Sequence, residues 1–115
     1  MKKQPELFTG KDLYNLEKER EFQNRLTETA RMMGWRVYSI PDSRRATLAG
    51  FPDLVMWRVR DGRILFAELK REKGRLSRSQ EAVLDELRMI TGPMPGAEVH
   101  IWRPSDWDQI LLILR

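Results

Sequence analysis

The chain has 115 residues, a length that supports one compact domain with one hydrophobic core and excludes two domains of ordinary size. Charged residues make up 33% and the hydrophobic set 41%, a balance typical of a soluble globular protein and unlike that of a disordered or membrane-embedded one. There is no cysteine, and His100 is the single histidine, which excludes disulfides, thiolate metal sites and histidine-rich zinc sites. Any metal must therefore be bound by oxygen ligands.

Positive charge is concentrated in one segment. The net charge of +4 and pI near 9.8 fit a polyanionic partner, although such values are also common in proteins that bind no nucleic acid. Residues 70–78 carry five positive charges against one negative. A basic run taken alone is more often a solvated loop than a phosphate-binding segment. No apolar segment follows Met1, so we expect an intracellular protein without a secretory leader and without a membrane partner.

The first third of the chain is predicted to be an arm, a helix and a strand. Residues 1–12 lack periodicity and include Pro5 and Gly10, which indicates a flexible arm before a single domain over residues 13–115. Residues 13–33 have helical spacing. The apolar side chains of this helix fall on one stripe: Phe22, Leu26, Ala30 and Met33.

Strand-like segments follow. Residues 35–40 alternate like a strand, and the segments 52–59 and 64–70 are rich in strand-forming residues. Asp61-Gly62 between the last two segments is typical of a two-residue hairpin turn.

The second half begins with a helix signal, since Ser77 and Gln80 have the spacing of a capping box. Its predicted apolar face consists of Val83, Leu84, Leu87 and Ile90. Residues 98–102 read as a last strand, and residues 104–114 as a capped terminal helix. The predicted order is helix, three strands, helix, strand, helix, a mixed α/β sandwich in which helices cover a small sheet.

The hairpin brings three polar residues together. With a two-residue turn, Val55 pairs with Glu68 and Asp53 with Lys70, so Asp53, Glu68 and Lys70 share one sheet face. The Cβ atoms of the two carboxylates are then roughly 7–8 Å apart, a gap that both can close around one Mg²⁺ with oxygen distances of ~2.1 Å. The alternative is a local ion pair between Asp53 and Lys70. The same face is predicted to be buried through its apolar residues: Val55, Trp57, Val59, Ile64 and Phe66.

Helical phase adds Glu19 to this set. The apolar stripe of the first helix centres within about 30° of Glu19, whereas Glu21 points to nearly the opposite side. Gln23, one turn later, lies near the same stripe and is placed to orient a carboxylate or a water. Alternatively, Glu19 lies outside the packed region or interacts with the positive end of the helix.

Gly50-Phe51-Pro52-Asp53 followed by Phe66-Ala67-Glu68-Leu69-Lys70 resembles the signature of PD-(D/E)xK nucleases. The further features narrow the resemblance to the VRR-NUC family, the virus-type replication-repair nucleases, and to its short, stand-alone phage members. These features are Glu19 with Phe22-Gln23, Gly34-Trp35, the loop Asp42-Ser43-Arg44-Arg45, Gly74-Arg75-Leu76-Ser77 and Gln80. The resemblance covers residues 17–114.

This resemblance implies a restriction-endonuclease-like fold and a metal-dependent nuclease that hydrolyses DNA phosphodiester bonds with Mg²⁺ or Mn²⁺. The metal ligands that it implies are Glu19, Asp53, Glu68 and the carbonyl of Leu69. Lys70 is implied to contact the attacking water or the scissile phosphate. Gln80 corresponds to a glutamine of the family motif, although a helix cap is at least as well supported for it.

The resemblance also suggests how the substrate is bound. Basic side chains near the site are expected to hold the nucleic-acid backbone without reading sequence: Arg44, Arg45, Arg71, Lys73, Arg75 and Arg78. Family members of this size resemble Holliday-junction resolvases, so branched DNA and a homodimer are expectations by likeness.

Two other functions remain open. One is a noncatalytic nucleic-acid-binding protein on the same fold, which the acidic residues disfavour because carboxylates repel phosphate unless a cation bridges them. The other is a protein-interaction module using Trp102 and Trp107, positions where aromatic residues are more often core.

Overall fold

The computed structural model describes residues 9–40 and 47–115, and within them the predicted element order is confirmed. The elements are α1 (Gly10–Met32), β1 (Arg36–Ser39), β2 (Leu54–Arg58), β3 (Arg63–Leu69), α2 (Arg78–Thr91), β4 (Ala97–Trp102) and α3 (Trp107–Leu114). Short 3-10 turns precede β3 and α3. No helix in these ranges is long and apolar enough to cross a bilayer.

Helix α1 begins earlier than predicted. Thr9 and Asp12 form a capping box, in which the Thr9 hydroxyl accepts from Asp12 N and the Asp12 carboxylate accepts from Thr9 N. This cap satisfies free N–H groups of the first turn and outweighs the low helix propensity of Gly10. Residues 10–12 therefore belong to the helix, and residues 1–8 of the predicted arm lie outside the described residues.

The sheet has the strand order β1-β2-β3-β4. Strands β1, β2 and β3 pair antiparallel, whereas β3 and β4 pair parallel. A parallel pair requires a crossover connection, and α2 supplies it. The carboxyl ends of β3 and β4 therefore lie at the same edge of the sheet.

The predicted hairpin register was wrong by two residues. Val55 pairs with Phe66 instead of Glu68, because β2 ends at Arg58 and the chain makes a 3-10 turn over Val59–Asp61. Gly62 closes this turn at φ 64°, a conformation that favours glycine. Since side chains alternate with a period of two, a two-residue shift leaves each residue on its predicted face.

The predicted buried face was also wrong. The fully buried apolar residues of β2 and β3 lie on the other face and pack in one cluster with α1 and α3: Leu54, Met56, Leu65 and Ala67. By contrast, Trp57 is 39% and Val59 is 89% exposed. Both faces of these strands carry apolar side chains, so alternation alone could not indicate which face the two helices cover.

The helices contribute most of the apolar residues expected of them. Phe22, Leu26 and Ala30 of α1 are buried. Trp102 lies in the same core and Trp107 packs against it, so these two side chains offer little exposed surface to a protein partner. In α2, Val83 and Leu84 are buried. Ile90 departs from the prediction with 62% exposure, because it lies in the last turn of the helix.

A buried arginine explains why β2 ends where it does. Arg58 is 4% exposed and binds both carboxylate oxygens of Asp61, at 3.0 and 2.8 Å. Its remaining N–H groups donate to the carbonyls of Met33, Leu114 and Arg115 at 2.8, 3.0 and 2.8 Å. One guanidinium thus joins the hairpin turn, the end of α1 and the end of α3, and a two-residue turn would not provide Asp61 in this position.

Arg58→Met is expected to lower the free energy of unfolding by about 3–5 kcal/mol, because several buried carbonyls and Asp61 lose their donor. Urea unfolding followed by circular dichroism measures this change. The control is Arg60→Met, whose exposed guanidinium makes one 3.4 Å contact with Met33 O; it should change stability by less than about 0.5 kcal/mol. Equal losses in both variants would contradict this role of Arg58.

Candidate active site

Two carboxylates meet where the β2–β3 ladder ends. Leu54 pairs with Ala67, so the preceding Asp53 and the following Glu68 lie across from each other. The Leu69 N–H donates to Asp53 Oδ2 at 2.8 Å and fixes that carboxylate. The buried Pro52, which has no N–H to leave unsatisfied, leads the chain into this position.

Glu68 is the buried member of the pair, with 2% exposure. Its Oε2 accepts from Gln80 Nε2 at 2.8 Å and lies 3.4 Å from Lys70 Nζ. Its Oε1 is also buried and has no hydrogen-bond partner among the described residues. An unsatisfied buried oxygen is costly, and such exceptions usually have a functional reason.

The surroundings of Glu68 favour its neutral form. Burial, and after it the negative charge of Asp53, raise the pKa of Glu68 to about 7, although the Lys70 ammonium acts in the opposite direction. The carboxyl group of Glu68 therefore changes between its neutral and ionised forms near neutral pH. A strongly shifted pKa in a cleft is a common feature of functional sites.

Gln80 forms the predicted helix cap and also contacts the buried carboxylate. Its Oε1 accepts from Ser77 N at 2.9 Å and its backbone N–H donates to Ser77 Oγ at 3.1 Å, which completes the predicted capping box of α2. The amide nitrogen is then directed at Glu68. The cap thus fixes the orientation of the group that holds the buried carboxylate.

Gly50 allows this arrangement. It has φ 91°, and a β-carbon at this position would overlap the backbone of Ser79 and Gln80. The Gly50–Asp53 segment therefore packs directly on the first turn of α2. Asp53 and Gln80 reach the same site because Gly50 has no side chain that would hold its segment away from the backbone of α2.

A cavity of about 480 Å³ opens above the two carboxylates. The wall formed by α1 includes Asn15, Lys18, Glu19, Phe22 and Gln23, and the opposite wall includes Arg71, Arg75 and Pro104. Asn15, Lys18 and Pro104 had not been singled out in the sequence. Spacings of four residues, from Asn15 to Glu19 and from Lys18 to Phe22, are the signal that would have placed the first two on this face.

Glu19 lines the cavity but stands apart from the other two acids. Its side chain is 54% exposed and its Oε1 lies 3.4 Å from Arg71 Nε. Among the described residues, no three acidic or histidine side chains are close enough to hold one metal ion. The structure thus brings Asp53, Glu68 and Lys70 together and leaves Glu19 paired with Arg71 across the cavity.

The structure describes four of the six predicted phosphate-binding residues. Arg71, Lys73, Arg75 and Arg78 are exposed, and two of them, Arg71 and Arg75, line the cavity. Arg44 and Arg45 lie outside the described residues.

Comparison with known proteins identifies the family and the fold of the chain. The model of the VRR-NUC domain family matches residues 13–100, most of the chain. The chain belongs to the VRR-NUC family. Two solved structures share the fold of this VRR-NUC domain. One, described as a VRR_NUC domain, has a TM-score of 0.63 and 22% identity, covering 83% of this chain and 95% of the other.

The second is Archaeoglobus fulgidus Hjc, a Holliday junction resolvase from an archaeal hyperthermophile. It has a TM-score of 0.50 and 22% identity, covering 73% of this chain and 67% of the other. No curated protein sequence matches this VRR-NUC chain.

The raised pKa of Glu68 makes the stability of this VRR-NUC domain depend on pH. The folded protein holds the Glu68 proton more tightly than the unfolded chain does, so the resulting stabilisation is complete below about pH 4.5 and is lost as the pH rises through about 7. Glu68→Gln cannot ionise, and it should raise stability at pH 8 by on the order of 2–3 kcal/mol with little effect at pH 4.5.

Thermal melts in EDTA across this pH range test the expectation. Glu86→Gln, at an exposed position of α2, is the matched control and should show no such dependence. If Glu68→Gln shifts the melting temperature equally at both pH values, burial of an ionised Glu68 does not destabilise the protein.

Proposed function

We propose that this protein is a metal-dependent endonuclease that hydrolyses DNA phosphodiester bonds. One observation supports this function most strongly: Glu68 Oε1 is buried beside Asp53, without a partner among the described residues, beneath a cavity bordered by cationic side chains. Membership of the VRR-NUC family and the fold shared with a resolvase point to the same chemistry.

The donor set fits a hard divalent cation. Asp53 and Glu68 offer carboxylate oxygens, which suit Mg²⁺ or Mn²⁺, and a cation would satisfy the free oxygen of Glu68. We propose the Leu69 carbonyl and Glu19 as further ligands. Glu19 would lose its ion pair with Arg71 when it binds the cation. When bound, such a cation polarises water for attack and offsets charge on the phosphate.

The surrounding side chains supply the remaining functions. Lys70 is 18% exposed, close to Glu68, and borders the cavity, so its ammonium can orient the attacking water or a phosphate oxygen. Gln80 holds the Glu68 carboxylate, and the Leu69 N–H holds Asp53. Among the described residues, Arg71 and Arg75 line the cavity and are the nearest candidates for backbone contacts, and Lys73 and Arg78 are exposed outside its lining. We propose the same role for Arg44 and Arg45, which lie outside the described residues.

Substrate choice follows from the kind of contact available. Cations on a cavity rim contact phosphates and do not read bases, which favours selection by DNA shape over selection by sequence. Together with the likeness to a Holliday junction resolvase, this leads us to propose branched DNA as the substrate. A four-way junction offers two symmetric strands, so we also propose that two copies of the chain act together.

Metal binding has a readout independent of catalysis. Because a cation at Asp53 and Glu68 binds the folded state only, 5 mM Mg²⁺ or Mn²⁺ at pH 8 should raise the melting temperature of the wild type by several degrees. Asp53→Asn should abolish this increase. Asp85→Asn removes an exposed carboxylate of α2 and should retain it. A full increase in Asp53→Asn would place the cation elsewhere.

Cleavage assays test the activity itself. Purified protein with Mg²⁺ or Mn²⁺ should cut branched DNA faster than linear duplex or single strands, and EDTA should stop the reaction. Asp53→Ala and Lys70→Ala are expected to reduce the rate at least about 100-fold, because each removes a group at the reacting phosphate. Asp85→Ala serves as the control and should cut at the wild-type rate.

The same assay separates the proposed nuclease from a noncatalytic binding protein. A wild type that binds these DNAs but cuts none of them supports binding alone. Cleavage by Asp53→Ala at the wild-type rate would assign the activity to another site or to a contaminant.

A further inference from the structure

We propose that Glu72, Arg103 and Ser105 are positioning residues that hold the basic loop of residues 71–75 in its substrate-binding shape. This inference rests on the proposed function, since it concerns how that loop meets the DNA backbone. The three residues, with the Gly74 carbonyl that one of them binds, are called the loop clamp below.

The loop clamp joins the basic loop to the segment after β4. Both carboxylate oxygens of Glu72 accept from Ser105, one from its N–H at 2.6 Å and one from its hydroxyl at 2.8 Å. Arg103 Nη2 donates to the Gly74 carbonyl at 2.7 Å. Within the loop, Gly74 N donates to Arg71 O at 3.0 Å and closes a turn. The loop is therefore fixed at two points along its length and is not a freely solvated basic run.

These bonds also determine which groups the loop presents to the cavity. Glu72 is the single acidic residue in the segment 70–78, which contains five cationic residues. Its carboxylate is directed at Ser105. The Gly74 carbonyl, another group that would repel phosphate, is directed at Arg103. Glu72 and Gly74 line the cavity together with Arg71 and Arg75, but their acceptor oxygens are occupied by donors of the protein itself.

Preorganisation is the expected benefit. A flexible loop loses conformational freedom when it binds, and a loop already held in the bound shape avoids much of that cost. Arg71 and Arg75 flank the turn that the clamp holds, so their spacing depends on it. Glu72 therefore favours binding of a polyanion although it carries the same sign of charge.

The negative charge of Glu72 allows the loop clamp to be distinguished from a purely electrostatic effect. Simple electrostatics predicts that removing a negative charge beside the cavity tightens DNA binding. The loop clamp predicts the opposite for Glu72→Ala: the dissociation constant for labelled branched DNA, measured by fluorescence anisotropy in EDTA, should rise about three- to tenfold. Glu72→Gln retains the shape of the side chain: its amide oxygen can accept from Ser105 N, and its NH2 group can donate to the Ser105 hydroxyl. This variant should bind within about twofold of wild type or more tightly.

Glu86→Ala is the matched control, because it removes an equal charge from an exposed position of α2. It should bind DNA no more weakly than wild type. In the cleavage assay, Glu72→Ala should raise KM with kcat nearly unchanged, a split that a general loss of folding would not produce. Binding by Glu72→Ala as tight as wild type, or failure of Glu72→Gln to restore binding, would overturn the proposal.

Failure of the nuclease proposal gives a different result. A wild type that neither binds nor cuts DNA would overturn the nuclease function, on which the substrate role of the clamp depends. A wild type that cuts DNA, combined with unimpaired binding by Glu72→Ala, would overturn the loop clamp alone. Hydrogen exchange provides a second check: the Ser105 and Gly74 amides should exchange faster in Glu72→Ala, and unchanged exchange also overturns the clamp.

Discussion

The juxtaposition of Asp53 and Glu68 is the constraint on which the other features of the site depend. Two carboxylates that lie across from each other just beyond the end of the β2–β3 ladder repel each other, and the burial of one of them removes the water that would otherwise screen the repulsion. Each neighbouring contact offsets part of this cost. Lys70 brings a positive charge, Gln80 brings a donor, and the Leu69 N–H brings another. Among the described residues these contacts leave one oxygen free, so the site is balanced only in part by the protein itself.

The supporting residues are arranged in layers around this pair. Gly50 brings α2 close, Ser77 fixes the orientation of Gln80, and Gln80 fixes Glu68. On the other side, Glu72 fixes the loop that borders the cavity. The cationic groups are placed with different freedom: Lys70 is mostly buried, whereas Arg71 is half exposed and paired with Glu19. The buried groups keep fixed positions around the acidic pair, and the exposed groups are accessible to a large partner.

Sequence reasoning succeeded where the signal was local or periodic. The Ser77–Gln80 spacing predicted the capped start of α2, and the alternation of side chains predicted that Asp53, Glu68 and Lys70 share a face. It failed where distant contacts decide. The hairpin turn depends on Arg58, whose partners include residues at the far end of the chain, and no local pattern at Asp61-Gly62 contains that information. The ion pair between Glu19 and Arg71 likewise joins residues that are far apart in the sequence, and the helical phase of α1 alone does not predict it.

The parallel pairing of β3 with β4 has a consequence for how the molecule forms. Asp53 and Glu68 are brought together by a hairpin, which closes a short loop and can form early in folding. Arg103 and Ser105, in contrast, reach the basic loop only after the chain has passed through α2 and β4 has docked beside β3. The topology therefore favours assembly of the acidic pair before the basic loop is fixed. β4 is the last strand in the sequence, and the residues that follow it include Pro104, which lines one wall of the cavity, and the clamp residues Arg103 and Ser105. The site is therefore complete only when the whole sheet has formed.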